Sequence, residues 1–182
     1  MLDLSWRFDA WFDALPPSPK ERGTVARLVL RTGPSQRVTP AEIELVPGRG
    51  AEGDAWSRHP HRAPGNEVAL MNVHVLSAVC DGDQSRTPLS GDNLHVDLDL
   101  GEANLPVGTR LSVGSAILRV SELPHRPCKH FVERFGATAA KRIARANRRG
   151  LRGRGVLCTI EQGGRVRLGD PIVVLRSTDL PR

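Results

Sequence analysis

The sequence predicts a mainly β protein, built as a closed or nearly closed antiparallel β-barrel with a few short helices. The chain of 182 residues holds about eight short apolar segments of strand length, and its 18 glycines and 14 prolines are spread between them as turn signals. Only about two or three segments have helical spacing, whereas a parallel sheet would need a helix between most of its strands. Closing the sheet into a barrel removes the unpaired edges that these strands would otherwise expose.

The start of the chain differs from the rest. Residues 1–22 are predicted to form a helical appendage, and residues 23–182 the barrel domain. Aromatic and apolar residues have partly helical spacing over 6–15, and the run Pro16-Pro17-Ser18-Pro19 ends that pattern because proline cannot continue a helix. We expect the aromatic cluster to dock on its own domain.

Four strands are predicted in the first half of the chain, and a short helix separates the last two. The strands cover residues 25–30, 42–46, 68–71 and 93–98. Segment 42–46 alternates charged and apolar residues, which is typical of a strand with one buried face. Asn72 is expected to cap a helix that runs through Val79, because its side-chain oxygen can accept hydrogen bonds from the first helical turn.

The second half adds five predicted strands and a basic helix. The strands cover residues 108–114, 116–120, 156–160, 166–168 and 172–175. The helix covers residues 137–149 and is expected to end at Gly150. The dipeptide Gly163-Gly164 is a two-residue hairpin signal, so we expect the strands on either side of it to pair with each other.

The net charge of +6 is concentrated in one part of the chain. Thirteen Lys or Arg residues but only three Glu residues lie between Arg119 and Arg167. Such a local excess predicts an anionic ligand, which is either a phosphorylated small molecule or a nucleic acid. The basic helix has no interleaved aromatic residues and no RNA-binding signature, so nucleic acid is the less favoured partner.

Nothing in the sequence indicates a membrane or a secretory route. No apolar run approaches membrane-spanning length, and the N-terminus lacks the basic-then-apolar order of a signal peptide. The cysteines, at positions 80, 128 and 158, are widely spaced and form no C-x-x-C arrangement. We therefore expect free thiols in a cytoplasmic protein with no membrane partner. The sequence does not indicate the oligomeric state.

Cys128 is the strongest candidate for chemistry because it lies in the run Pro124-His125-Arg126-Pro127-Cys128-Lys129-His130. Cationic neighbours stabilise a thiolate, which is both a nucleophile and a soft metal ligand. Pro127 disfavours helix at the residue before it, and the residues up to Phe135 are expected to begin a helix. Cys128 would then lie near a helix N-terminus, where the helix dipole also favours an anion.

Histidines beside Cys128 and in an earlier loop are further candidates. His125 and His130 are proposed as catalytic residues that either transfer protons near neutral pH or only raise the thiolate population. His59 and His61 form a weak zinc candidate, because no further ligands at a recognised spacing complete the set.

Several segments, taken in order over residues 24–176, resemble the MOSC domain. This domain is the C-terminal part of molybdenum cofactor sulfurases and also occurs as small stand-alone proteins. The ordered set, with a lone Pro-Cys after an apolar strand, is more specific than any one piece. Where relatives commonly have Arg-Gln before an apolar strand, this chain has Asn66-Glu67. The segments are Gly50-Ala51-Glu52-Gly53-Asp54, Glu67-Val68-Ala69-Leu70-Met71, Leu89-Ser90-Gly91-Asp92-Asn93-Leu94, Leu105-Pro106-Val107-Gly108-Thr109-Arg110-Leu111-Ser112-Val113-Gly114, Pro127-Cys128, Gly153-Arg154-Gly155-Val156 and Gly164-Arg165-Val166-Arg167-Leu168-Gly169-Asp170.

The resemblance implies a MOSC β-barrel that binds the molybdenum cofactor. The family cysteine corresponds to Cys128, which would ligate molybdenum or carry sulfur. The family's Glu-Asn pair corresponds to Asp92 and Asn93. Together with His95, these residues are expected to provide hydrogen-bond partners for the pterin. The expected phosphate contacts come from cations that follow in the chain, namely Arg126, Lys129, Arg152 and Arg154.

The favoured function is a small oxidoreductase that reduces N-hydroxylated compounds, with an anionic pterin cofactor and a small-molecule substrate. The alternative is a sulfur carrier that holds a persulfide on Cys128 for assembly of a metal-sulfur cofactor. Either function would also need a donor of electrons or of sulfur, and the sequence does not identify a protein in that role. A barrel that has lost its chemistry is the remaining alternative.

Overall fold

The structure is a computed structural model that describes residues 6–59 and 62–176, and within them it has three α-helices and twelve strands. In chain order they are α1 (Trp6–Asp13), β1 (Arg22–Leu28), β2 (Leu30–Arg31), β3 (Arg37–Val38), β4 (Glu42–Val46), β5 (Gly50–Ala51), β6 (Val68–Asn72), α2 (Val73–Val79), β7 (Leu94–Asp97), β8 (Arg110–Val113), β9 (Ala116–Val120), α3 (Lys129–Arg148), β10 (Val156–Gln162), β11 (Gly164–Arg167) and β12 (Pro171–Leu175). Two 3-10 turns, Ala55–Arg58 and Thr87–Ser90, lie in the loops. No helix in the described part is both long and apolar enough to cross a bilayer.

Seven strands form a closed barrel in the order β1-β12-β8-β9-β10-β6-β7, and β7 pairs with β1 again. The predicted mainly β barrel is therefore confirmed. One pair departs from the antiparallel prediction, because β6 and β7 run parallel with Leu70 opposite Leu94. The chain between these strands contains α2 and returns to the end where β6 began, as a parallel connection requires.

Aliphatic side chains fill the barrel, since the sequence has no Tyr and only four Phe. Alternate residues of each strand point inward, for example Leu111 and Val113 of β8. The inward-facing residues of the seven strands belong to one buried cluster. A small barrel of this kind has a packed interior rather than a channel, so a ligand site is expected outside that interior.

A second apolar cluster joins the helices to the outside of β6. Phe131 and Ile143 of α3 pack there against Met71 and against α2. Trp11 of α1 lies against the same cluster, and the Arg142 guanidinium stands 5.3 Å from its ring. The N-terminal helix thus docks on its own domain, as expected. The boundary between residues 22 and 23 stays a prediction.

The helix starts confirm two expectations. The Oδ1 atom of Asn72 accepts hydrogen bonds from the N–H groups of His74 and Val75, at 2.9 and 3.1 Å, and so caps α2. Cys128 is the N-cap residue of α3. The two helical segments predicted on either side of Gly136 both lie in α3, and Gly136, with φ 85° and ψ 163°, forms a non-helical break between them.

The hairpin predicted at Gly163-Gly164 is wrong. Both edges of β10 are already paired, one with β9 and the other with β6. β11 cannot add to it and pairs instead with β4, in a separate small sheet with β5. The two glycines therefore mark the point where the chain leaves the barrel.

Candidate cofactor site

The thiol of Cys128 is exposed at the start of α3. Its backbone is extended, and its carbonyl accepts hydrogen bonds from the N–H groups of Phe131 and Val132, at 3.0 and 3.2 Å. The thiol itself makes no capping hydrogen bond. The other two thiols are buried, and burial raises the pKa of Cys80 to about 11 and that of Cys158 to about 12. Cys128 is therefore the one cysteine placed for chemistry.

Three predicted residues flank this thiol on the surface. Arg126 is exposed just before it. His130 Nδ1 lies 2.9 Å from Glu133, and the Lys129 ammonium lies 3.8 Å from the same carboxylate. These are exposed pairs of the kind that contribute little to stability. The local cationic surroundings of Cys128 are thus present, moderated by one glutamate.

Beneath the loop that leads to Cys128 lies a buried ion pair. The Arg154 Nη1 group donates to both carboxylate oxygens of Asp92, at 2.7 and 2.6 Å. Only 1% of Asp92 and 5% of Arg154 is exposed. Arg154 also donates to the Ser90 carbonyl and stacks 5.0 Å above the Phe131 ring. The Arg154 side chain turns inward to Asp92, and the phosphate contact predicted for it stays a prediction.

His125 lies over this pair. Its Nε2 atom is 3.7 Å from Asp92, and its carbonyl accepts a hydrogen bond from the Asn147 amide at 2.9 Å. Burial lowers the pKa of His125 to about 3, and the nearby charge of Arg154 acts in the same direction. A pKa this low disfavours a charged ring at physiological pH, and the predicted catalytic role of His125 stays a prediction. Its Nδ1 atom is buried and has no hydrogen-bond partner within the described residues.

Asp92 and His95 also differ from ordinary surface groups. Burial alone would raise the pKa of Asp92, but the charge and the hydrogen bonds of the Arg154 guanidinium bring it below its usual range. His95 is buried in β7, with Nε2 3.3 Å from the Ser90 hydroxyl, and burial lowers its pKa to about 4. Both residues are buried next to the candidate site, and a contact of either one with a pterin stays a prediction.

The amide of Asn93 is engaged by the protein. Its Oδ1 atom accepts from the Ala69 N–H at 3.2 Å, and its Nδ2 group donates to the Val29 carbonyl and to Asp54. Asp54 in turn accepts hydrogen bonds from Arg31, the shortest at 2.7 Å. Asn93 therefore ties β6 to the loops beside it, and its predicted pterin contact stays untested.

An arginine cluster, formed by Arg31, Arg37 and Arg134, was missed by sequence reasoning. Arg37 and Arg31 lie close against Gly91, and Arg134 donates to the Leu89 carbonyl at 3.0 Å. Burial lowers the pKa of Arg37, and the charges of Arg134 and Arg31 lower it further. The Arg37 Nε group is buried without a hydrogen-bond partner in the described structure. Arg31 and Arg37 lie opposite each other in the β2–β3 pair, but no local signal relates them to Arg134, so only the fold reveals the cluster.

The remaining predicted residues lie elsewhere. Arg152 donates to the Leu105 carbonyl at 2.6 Å and faces Glu102, on the wall of a cavity beside α3. His61 lies outside the described residues. In the part of the chain that is described, no group of three His, Cys, Asp or Glu side chains could hold a metal ion. A zinc site at His59 therefore has no support there.

Comparison with known families identifies the fold. The sequence profile of the MOSC domain matches residues 67–173, which is more than half of the chain. This chain belongs to the MOSC domain family. Among curated proteins, none has a sequence that matches this MOSC protein.

Solved structures agree with this assignment at the level of the fold. The YuaD protein of Bacillus subtilis superposes with a TM-score of 0.62 at 19% identity, covering 84% of this chain and 95% of that one. YiiM of Escherichia coli superposes with a TM-score of 0.56 at 19% identity, covering 84% and 70%. YiiM of Geobacillus stearothermophilus gives 0.53 at 15% identity, covering 91% and 79%.

The MOSC family is associated with the molybdenum cofactor, and the residues present fit that group. It needs a soft ligand for the metal and cationic or backbone donors for a phosphate. Cys128 offers an exposed thiol, and the arginine cluster offers guanidinium groups. Buried polar atoms without a partner are rare in proteins, and here Arg37 Nε and Arg154 Nε are two of them. A bound anion could accept hydrogen bonds from such unpartnered N–H groups.

Proposed function

We propose that this MOSC protein binds the molybdenum cofactor through Cys128 and reduces N-hydroxylated compounds. The observation that supports the proposal most strongly is the exposed, unbonded thiol of Cys128 at the N-terminus of α3. A helix N-terminus favours an anionic sulfur, and Arg126 adds positive charge beside it.

The chain divides the work between exposed and buried groups. Cys128 acts as the soft ligand, and the arginine cluster binds the anionic part of the cofactor. Asp92 and Arg154 hold the loop that carries His125 and Cys128. When bound, the cofactor supplies the metal centre through which an electron pair reaches the N–O bond. His130 is the one exposed imidazole next to Cys128, so it is the proposed proton donor to the departing oxygen.

The test uses protein expressed in a host that makes the cofactor. Phenylhydroxylamine is the substrate and reduced methyl viologen is the electron donor, and we expect aniline and water as products. Cys128→Ser should reduce the rate at least a hundredfold, whereas Cys80→Ala, which removes a buried thiol, should stay within threefold of wild type. Equal rates for wild type and Cys128→Ser would overturn the proposal.

A sulfur carrier is the second candidate, because an exposed thiol with no hydrogen-bond partner is also what persulfide transfer requires. Mass spectrometry of the same samples separates the two functions. A sulfur adduct on Cys128, with no molybdenum and no reductase activity, would favour the carrier. The reductase is favoured by molybdenum without the adduct.

Nucleic-acid binding gains no support from the position of α3. Arg145 donates to Asp9 at 2.9 Å, and Arg149 donates to Asp13 at the same distance. Arg142 stacks on Trp11. Because α1 covers these three cations, much of the basic face counted in the sequence is engaged within the protein.

A further inference from the structure

A second concave site lies beside Cys128, between α3, the start of β10 and the loop 121–127. Its volume is about 700 Å³, within the range of small-molecule sites. Pro127 lines this cavity, and Cys128 is the next residue. The ring of His125 is shared, because it lines the cavity and also faces Asp92.

Exposed apolar side chains line this cavity. Four large apolar side chains are strongly exposed in the described part of the chain. Two of them, Val107 at 59% and Val132 at 39%, line this cavity, where Leu123, Ala140 and Ala144 add further apolar surface. Apolar side chains held open around a concavity are typical of a ligand site.

Unpaired positive charge surrounds this apolar lining. Arg126, Lys141 and Arg148 line the cavity, and none of their side chains has an ion pair or hydrogen bond within residues 6–59 and 62–176. The remaining charged residues on the lining are Arg152, which faces Glu102 at 4.0 Å, and Glu122. Four cations therefore stand against two carboxylates.

The backbone of Arg152 is an independent indication that this wall of the cavity is a binding site. Its φ angle is 45°, and only one other non-glycine residue in the described structure, Asp81, has a positive φ. A left-handed arginine is strained, and such strain concentrates at binding sites. The hydrogen bond to the Leu105 carbonyl holds the guanidinium in place at the cavity wall.

We infer that this cavity binds a small amphipathic acid, with a flat apolar body against Val107 and Val132 and a carboxylate near Lys141 and Arg148. The apolar lining accounts for the body, and the excess of cations accounts for the acid. A neutral compound of the same shape leaves the cations uncompensated. This acid site does not depend on cofactor binding, because the protein fold alone positions the residues that line the cavity.

The experiment is calorimetric titration of the purified full chain with 2-naphthoate and with 2-naphthylmethanol, its neutral counterpart. We expect 2-naphthoate to bind with a dissociation constant of about 10–100 μM. The alcohol should bind at least tenfold more weakly. Equal affinity for the two compounds, or no binding of 2-naphthoate up to millimolar concentration, would overturn the inference.

Two pairs of variants locate the binding. Ala144→Trp fills the cavity and should weaken binding at least tenfold, whereas Ala137→Trp, exposed on the same helix outside the cavity, should stay within twofold. Lys141→Glu with Arg148→Glu should weaken binding at least fivefold. The matched charge change, Lys20→Glu with Arg22→Glu, should have no effect. Unchanged binding in the cavity variants would place the ligand elsewhere and refute the assignment.

A further variant tests the same cavity in case the Ala144→Trp protein does not fold. Val132 is exposed, so Val132→Asp should preserve the thermal midpoint while adding a negative charge to the apolar wall. Binding of 2-naphthoate should fall at least tenfold. Retained affinity in a folded Val132→Asp protein would contradict the inference.

Discussion

The buried pair of Asp92 and Arg154 contrasts with the exposed thiol of Cys128 and its neighbours. The two groups belong to one candidate site, but they differ in almost every physical respect. The first is a buried ion pair, with 1% of Asp92 and 5% of Arg154 exposed to water. The second is an exposed thiol whose sulfur makes no capping hydrogen bond. The candidate site therefore combines a buried group with an exposed group, and the exposed group is the one proposed to contact the ligand.

The largest expected effect comes from breaking the buried pair. Arg154→Ala leaves the Asp92 carboxylate buried without its partner, and we expect a loss of about 3–5 kcal/mol in the free energy of unfolding. Urea denaturation measures this loss, and Arg154→Lys should recover part of it by restoring the charge. A loss below about 1 kcal/mol would mean that Asp92 and Arg154 do not form the support described.

The pH dependence of stability should report the same network. His125 and His95 have pKa values lowered by burial to about 3 and about 4 in the folded state, against about 6.5 when unfolded. Below pH 6.5 the unfolded chain therefore binds more protons. Stability should fall as the pH drops from 6.5 toward 4, by up to about 1.4 kcal/mol per pH unit for each histidine.

Substitution of one histidine tests that slope. His125→Gln removes one of the two titrating groups, so its stability should decrease less steeply than wild type over the same pH range. Asp92 adds to acid sensitivity only at lower pH, because its folded pKa lies below the unfolded value and its contribution is lost as the pH falls toward it. A slope identical to wild type would show that His125 is not buried in its neutral form.

The smallest effect on stability is expected at the exposed thiol. Cys128→Ser should change the free energy of unfolding by less than about 0.5 kcal/mol, because the side chain makes no buried contact. In native protein, iodoacetamide should modify Cys128 alone, since burial protects Cys80 and Cys158. Mass spectrometry counts the modified thiols. As a control, all three cysteines should be modified in protein unfolded with urea. Modification of a buried cysteine at the same rate would contradict the described packing.

The sequence predicted those features that local residue chemistry determines. Asn72 caps α2 because a side-chain oxygen next to a helix start acts within three residues. Pro127 places the helix start at Cys128 for the same kind of reason. The strands could be located from their apolar alternation, whereas their partners could not. Gly163-Gly164 has the composition of a hairpin, but the edges of β10 are occupied by strands distant in sequence.

The same limit applies to the site. Arg154 stands in a glycine-rich basic segment that favours a phosphate contact, but a carboxylate 62 residues earlier draws it inward. The arginine cluster comes from the paired strands β2 and β3 and from α3, and only the fold brings the strand pair and the helix together. Cys128 could be found because its cationic neighbours are also its neighbours in sequence.

Cofactor content tests the central claim most directly. Protein expressed in a host that makes the molybdenum cofactor should contain close to one molybdenum and one pterin per chain, measured by plasma mass spectrometry and by pterin fluorescence after oxidation. Cys128→Ser should lose at least nine-tenths of the molybdenum while retaining the wild-type thermal midpoint, and Cys80→Ala should keep it. Equal molybdenum in wild type and Cys128→Ser, or none in either, would contradict the role assigned to this thiol.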